Sequence, residues 1–272
     1  MKKHIVKNVR DINLDHIFDC GQCFRWEKQS DSSYIGRAFG KSVRMMMEYD
    51  EGSLSSGNLI IEGADEEDYR SVWRDYLDLE TDYSSIKKKL SETDEVMREA
   101  ISHGEGIRIL KQDLWETIVS FIISQNNNIP RIKGCIENLV KLTGENGNLP
   151  TPERLAMSSI EELSSVRLGY RAEYLIKCAG TICEEGLPKN YDELLNLKGV
   201  GPKVANCIRL FGLHDLSGFP IDVWIMRAMH ALYKIDENDR RGMQQFAEEK
   251  FGDLGGIAQQ YLFYYARSKG IA

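Results

Sequence analysis

The sequence of 272 residues predicts an α+β fold: a small antiparallel sheet at the N-terminus, followed by a body made only of helices. Three observations carry that expectation. Residues 1–65 lack helical periodicity and place strand-like runs between turn-forming clusters. From about residue 92 onward, apolar positions recur at three- and four-residue spacing, in segments punctuated by Gly, Pro, Ser and Asn. No fixed-period repeat and no low-complexity linker intervenes. The boundaries read from these patterns are 1–91 for the sheet with its flanking helices and 92–272 for the helical body.

In chain order, His4–Val9, Ser33–Phe39, Ser42–Tyr49 and Leu59–Glu62 read as strands. Asp50-Glu51-Gly52-Ser53 and Ser55-Ser56-Gly57-Asn58 are the turns between them. Residues 66–91 switch to helical spacing, with Tyr69, Val72, Trp73 and Tyr76 on one face. Helices follow over 93–103, 112–125, 129–143, 151–157, 159–166, 170–186 and 191–197. After a glycine turn come 201–213, 222–233, 239–251 and 254–269. Pro130 and Pro202 fall where a first-turn proline is tolerated.

Composition narrows the class. Hydrophobic residues at 42% and charged residues at 28% are ordinary for a globular chain. Neither a signal-peptide pattern nor a bilayer-length apolar run is present, so the expectation is a soluble, cytoplasmic protein without a membrane partner. The formal charge of −7 argues against a general nucleic-acid binder held by bulk positive charge. It leaves room for a local basic face, because Arg131, Lys133, Arg167, Arg171, Lys177, Lys203 and Arg209 lie in the middle of the chain. The acidic runs sit elsewhere, at 62–81, 92–99 and 236–253. Of six cysteines, only Cys20 and Cys23 have metal-like spacing, and no second pair completes a zinc site. No cysteine cluster near the C-terminus suggests an iron–sulfur centre.

The chemistry concentrates at residues 197–224. Gly199-Val200-Gly201 is a tight turn between two helical patterns, with Lys203 just beyond it and Asp222 opening the next helix. Exposed N–H groups of a glycine hairpin, backed by a helix N-terminus, suit one phosphate. An amine attacks only when neutral. At a reference pKa of about 10.4, roughly one lysine in 2,500 is neutral at pH 7, so a nucleophilic Lys203 needs burial or a neighbouring positive potential. Asp222 suits an N-cap, and a carboxylate held by capping N–H groups is expected to stay ionised and to stabilise positive charge at a sugar carbon. Lys203 and Cys207 are four apart and share a helix face, as do Gln259 and Phe263. Core packing is the ordinary fate of such a Cys or Phe. Asn126-Asn127-Asn128 lies at a helix junction, where one of the three is expected to serve as a cap.

Leu197 through Cys207, with Phe219-Pro220-Ile221-Asp222-Val223, resembles the helix-hairpin-helix motif (about 191–213) and Pro/Asp loop (218–223) of base-excision DNA glycosylases. Lys203 is similar to the lysine of the bifunctional members. Four further stretches resemble the 8-oxoguanine DNA glycosylase family: Cys20-Gly21-Gln22-Cys23-Phe24-Arg25-Trp26, Ser124 through Ile132, Leu168 through Ala172, and Ala258 through Phe263. The likeness covers nearly the whole chain and is that of a prokaryotic member.

The resemblance implies a TBP-like N-terminal sheet packed on a helix-hairpin-helix body, and removal of 8-oxoguanine from duplex DNA with β-elimination at the abasic site. Lys203 would be the nucleophile and Asp222 its electrostatic partner. Gly21, Cys207, Gln259 and Phe263 would hold the flipped base, Gly21 through its carbonyl on N7–H, an interaction guanine cannot reproduce. Asn126, Arg131, Tyr170 and Arg171 would fill the vacated stack and read the opposite cytosine, while Gly199, Val200 and Gly201 hold a phosphate. No metal or organic cofactor is implied, although the carbonyls of Leu195, Leu197 and Val200 could take a monovalent cation. The expected partner is double-stranded DNA containing 8-oxoguanine, met by a monomer on nucleoid DNA. Trp224 departs from the phosphate-contacting histidine common in eukaryotic members, which puts that contact in doubt. Two other readings compete: a glycosylase for another damaged purine, and a non-catalytic helix-hairpin-helix DNA-binding protein. Lys203 and Asp222 in register, together with the four base-pocket residues, weigh against both.

Overall fold

The computed structural model describes residues 2–271. Strands β1 (Lys3–Val9), β2 (Trp26–Lys28), β3 (Tyr34–Ala38), β4 (Lys41–Tyr49) and β5 (Gly57–Glu62) form one antiparallel sheet in the order β1-β5-β4-β3-β2. Tyr34 opposes Met45, and Met45 opposes Ile61. All three are fully buried, so one row of inward side chains crosses the central strands. Ile5 and Ile35 point out to solvent on the other face.

Two short elements escape the sequence reading. Helix α1 (Leu14–Phe18) is held by the Asn13 side chain, which accepts N–H bonds from Asp15 and His16 at 2.9 and 3.2 Å. Its five residues, like the three of β2, are too few to establish a period. The helical stretch expected over 66–91 comes in pieces. It runs as α2 (Glu66–Asp68), a π-type turn (Tyr69–Trp73) and α3 (Arg74–Tyr76), then stops. Trp73 and Tyr76 do face inward as expected. Tyr76 accepts a 2.7 Å bond from the Trp26 indole, on which Phe18 stacks at 4.0 Å. The break centres on Asp78, whose φ is +50°. Its buried carboxylate accepts from Thr81 (2.8 Å) and Tyr83 (3.1 Å) and pairs with Lys111 (3.0 Å) and His214 (3.5 Å). Those bonds outweigh the helical periodicity of the surrounding residues.

The body follows as α4 (Tyr83–Ser91), α5 (Glu95–His103), α6 (Leu114–Ser124), α7 (Ile129–Thr143), α8 (Pro152–Ala156), α9 (Arg171–Glu185), α10 (Tyr191–Asn196), α11 (Pro202–Phe211), α12 (Val223–Tyr233), α13 (Arg240–Phe251) and α14 (Gly255–Lys269). A 3-10 turn over Glu162–Val166 replaces the helix expected at 159–166. Two apolar cores result. One lies under the sheet and includes Trp26, Trp73 and Tyr76. The other fills the helical body and already includes Tyr83 and Leu90, together with Phe24 from the sheet side. Among the described residues no helix is long and apolar enough to cross a membrane.

Two buried polar struts join the cores. Gln22 donates to the carbonyls of Ile17 (3.0 Å) and Arg108 (2.9 Å), accepts from the Leu110 N–H (2.9 Å), and its own carbonyl accepts from Gln112 (2.7 Å). Arg25 donates to the Gly147 carbonyl at 2.7 Å and reaches Glu116 on α6 at 3.4 Å. Burial pushes the Glu116 carboxyl up to about 7, against the opposing pull of Arg25.

Candidate active site and nucleic-acid interface

The hairpin between α10 and α11 is built for close approach. Gly199 adopts φ +87°, and a Cβ there would lie 2.6 Å from the Tyr174 ring, so no side chain fits either torsion or space. Gly201 is the N-cap of α11 and brings no side-chain cap, while the space around its Cα is open. Pro202 supplies the first turn, leaving the N–H groups at the helix start for an anion. Val200 donates to the Leu197 carbonyl at 3.0 Å, which closes the turn and uses one of the carbonyls expected to face a cation.

Lys203 sits one residue into α11 and is half-buried. Its ammonium lies 5.6 Å from the centre of the Phe121 ring. That ring is wedged between Phe211, stacked at 5.5 Å, and Phe24, edge-on at 5.7 Å. Cys207, one turn on, is buried. Burial pushes its thiol up, while the neighbouring Lys203 pulls it down through charge and a hydrogen bond. Asp222 is the N-cap of α12, its Oδ1 accepting from the Ile225 N–H at 2.8 Å. The cap favours the carboxylate as expected, but it does not set the balance. Burial raises the Asp222 carboxyl above its ordinary value, outweighing the capping N–H groups of Ile225 and Trp224 and the charge of Lys203. Lys203, Cys207 and Asp222 are therefore within reach of one another's charge in partly desolvated surroundings.

Of the residues expected to hold a base, Gly21 from the N-terminal loop and Phe263 from α14 come together. Gly21 has φ +80°, and the position a Cβ would take there lies 3.5 Å from Phe263 Cε1. The N-terminal loop thus stands directly against the ring on α14. Gln259, one turn earlier on α14, is buried, and its Oε1 accepts from Gln260 at 2.9 Å, which fixes the amide. Phe24, three residues after Gly21, reaches the Phe121 ring beneath Lys203 and so ties this loop to the start of α11.

The asparagine run divides its labour. Asn128 caps α7 by accepting from the Arg131 N–H at 3.0 Å, and Asn127 donates to the Ile123 carbonyl at 3.1 Å. Asn126 is exposed in the left-handed region at φ +46°, and its side chain is committed to neither helix. Arg131 is exposed nearby on α7. Tyr170, 49% exposed, stands at the start of α9 with the Arg171 guanidinium 4.5 Å over its ring.

Arg171 lies in a buried carbonyl cage. It is only 5% exposed, and it donates to the carbonyls of Gln125 (2.9 Å), Asn126 (3.1 Å) and Leu168 (3.1 Å). A guanidinium bonded to three carbonyls holds the asparagine loop and keeps one Nη1 N–H outside those bonds. The expected basic face thins for a similar reason: Lys133 pairs with Glu27 (3.3 Å), Lys177 with Glu173 (2.6 Å) and Arg209 with Asp215 (2.6 Å). Arg131, Arg167 and Lys203 remain. Cys20 and Cys23 are buried, with Cys20 pushed up to about 12 and Cys23 also well up, both chiefly by burial. They are structural thiols, and no cluster among the described residues could hold a metal through His, Cys, Asp or Glu.

Sequence reasoning gave no role to Phe121, Tyr174, Gln22 or Gln125. The last two stand inside stretches already singled out, next to Gly21 and Asn126. Their bonds to Arg108, Leu110, Gln112 and Gly199 reach partners distant in sequence, which left no local signal to find them by.

Two family descriptions match adjoining parts of the chain, together residues 4–252. "8-oxoguanine DNA glycosylase, N-terminal domain" covers residues 4–118, and "HhH-GPD superfamily base excision DNA repair protein" covers 119–252. A probable N-glycosylase/DNA lyase of Methanothermobacter thermautotrophicus is 32% identical over 234 residues, 71% of this chain and 72% of that protein. Among solved structures, MBOgg1 in complex with a low-affinity DNA ligand is 42% identical, with TM-score 0.91 over 99% of this chain and 97% of that one. The Clostridium acetobutylicum 8-oxoguanine glycosylase/lyase, in complex with double-stranded DNA containing cytosine opposite 8-oxoG, is 40% identical with TM-score 0.91, covering 99% and 96%.

Proposed function

This chain belongs to the 8-oxoguanine DNA glycosylase family of the helix-hairpin-helix superfamily, and we propose from that premise how its residues carry out the reaction. It is a bifunctional DNA glycosylase and lyase that excises 8-oxoguanine from duplex DNA. The hairpin N–H groups at Gly199–Gly201 and the start of α11 take a phosphate of the damaged strand. Asn126 enters the space the base vacates, Tyr170 wedges beside it, and Arg131 donates to the opposite cytosine. The extruded base lies between Phe263 and Cys207, with Gln259 at its edge and the Gly21 carbonyl on N7–H.

Lys203 Nζ, as the free amine, attacks C1′, and the C1′–N9 bond breaks with its electron pair leaving on the base. The nitrogen loses a proton as the sugar opens to a Schiff base. Loss of a C2′ proton then expels the 3′ phosphate and nicks the strand, and water hydrolyses the Schiff base to return the amine. Asp222 stabilises the cationic intermediates from within reach of the Lys203 charge. The Phe121 ring under the ammonium, and Phe24 linking it to the Gly21 loop, keep nucleophile and base slot in one frame. We expect the enzyme on nucleoid DNA in the cytoplasm.

The observation that supports this reading is the Phe263 ring 3.5 Å from where a Cβ on Gly21 would lie, because it sets the N-terminal loop against α14 while Phe24 of the same loop reaches the ring beneath Lys203. Borohydride trapping on an 8-oxoguanine duplex tests it. Native protein forms a covalent adduct and Lys203→Gln does not; an adduct that survives the substitution moves the nucleophile elsewhere. Running the four opposite bases in parallel tests Arg131, whose Ala variant loses the preference for cytosine.

A further inference from the structure

Gln125 is the C-cap of α6, and neither the glycosylase chemistry nor base recognition uses it. Its side chain nevertheless crosses to the phosphate hairpin, donating from Nε2 to the Gly199 carbonyl at 2.9 Å. Its main-chain carbonyl accepts from the Arg171 Nε at 2.9 Å and also from Nη2 of the same guanidinium. Arg171 continues to the carbonyls of Asn126 and Leu168. The circuit then closes on itself. Arg171 covers the Tyr170 ring at 4.5 Å, Tyr170 meets Tyr174 edge-on at 5.4 Å, and Tyr174 packs against Gly199, leaving no room for a Cβ.

We propose that Gln125 is a positioning residue that locks the Asn126 loop to the phosphate-binding hairpin, so that grip on the damaged strand and reading of the opposite base are set by one rigid unit. The inference rests on the assignment of Asn126 and Arg131 to the opposite strand. Its physical basis is the division of the asparagine run. Asn127 and Asn128 are spent on helix ends, and Asn126 holds a left-handed torsion that its own side chain does not stabilise. The loop's position therefore depends on the carbonyls at 125 and 126, which Arg171 gathers, and on the amide at 125, which alone reaches the hairpin. A phosphate contact on Gly199–Gly201 carries no sequence information by itself. Through Gln125 it fixes where Asn126 enters the duplex.

Gly199 is half-exposed, so water can replace the lost amide and the fold tolerates its removal. Single-turnover excision of 8-oxoguanine opposite C and opposite A, compared among wild type, Gln125→Met and Gln125→Glu, reads the coupling. Met keeps the length without polarity, and Glu keeps polarity without a donor, so either variant serves if the other fails to fold. Both lower the C-over-A rate ratio by about fivefold, the worth of one hydrogen bond. A C-selective wild type whose variants keep its ratio, or lose both rates by the same factor, overturns the proposal alone. A wild type that excises equally opposite both bases overturns the opposite-strand reading and this proposal with it.

Discussion

Gly21→Ala separates the base slot from the lysine chemistry more cleanly than any catalytic substitution. The added methyl meets two constraints. The first is torsional: at φ +80°, an L-residue costs about 1–2 kcal/mol in the folded state. In a chain of this size that lowers the melting temperature by roughly 2–8 °C and leaves the protein folded. The second is spatial. The new Cβ lies 3.5 and 3.7 Å from Phe263 Cε1 and Cζ, an ordinary contact in the empty enzyme, so nothing has to move until a base arrives. A base entering the slot must displace that methyl or shift the ring. Overpacking of this kind costs on the order of 1–3 kcal/mol, which corresponds to roughly a 5- to 150-fold loss in kcat/KM for 8-oxoguanine excision. The lyase step on a duplex carrying a preformed abasic site has no base to seat, so borohydride trapping there should stay close to wild type. The assay is the pair of rates on matched duplexes, one with 8-oxoguanine and one with the abasic site. Excision within threefold of wild type would refute the slot. Equal losses on both substrates would place Gly21 in general DNA binding instead.

Two further predictions concern buried carboxylates of opposite sign. Burial works to raise the Asp78 carboxyl, but His214, Lys111 and Thr81 hold it below its ordinary value. Its contribution to stability is therefore present above the unfolded carboxyl pKa and is lost as pH falls through the folded value. Asp78→Asn, measured by urea unfolding from pH 6 down to pH 2, should cost on the order of 3–5 kcal/mol at the upper end and flatten the acid limb, and an unchanged limb would count against the network. Glu116 behaves in reverse. Its pKa rises from 4.5 to about 7, so the folded state keeps a proton that the unfolded chain releases. Stability should fall as pH climbs through that window, by on the order of 3 kcal/mol, and Glu116→Gln should abolish the slope; a wild-type profile that rises there would contradict the burial argument.

Local pattern carried most of this protein. Four of the five strands and most helix positions were legible because alternation and three-to-four spacing report burial on one face, and these elements are long enough to show a period. The hairpin glycines, Lys203 and Asp222 were legible for a different reason: turn chemistry and capping are set by a few neighbouring residues. The resemblance of five separated stretches added the base and the opposite strand, which spacing alone did not contain. Tertiary structure decided what neighbours cannot. It set where the helical stretch at 66–91 breaks, because Asp78 finds Lys111 and His214 far along the chain. It tied Arg171 to carbonyls of the loop after α6, and it spent Asn127 and Asn128 on helix ends so that the Asn126 side chain caps neither helix. It let burial outweigh the cap at Asp222, a balance of desolvation that no cap motif encodes. It also brought Gly21 onto Phe263 and Gln125 onto Gly199, contacts between segments whose separation in the chain hides them from any local reading.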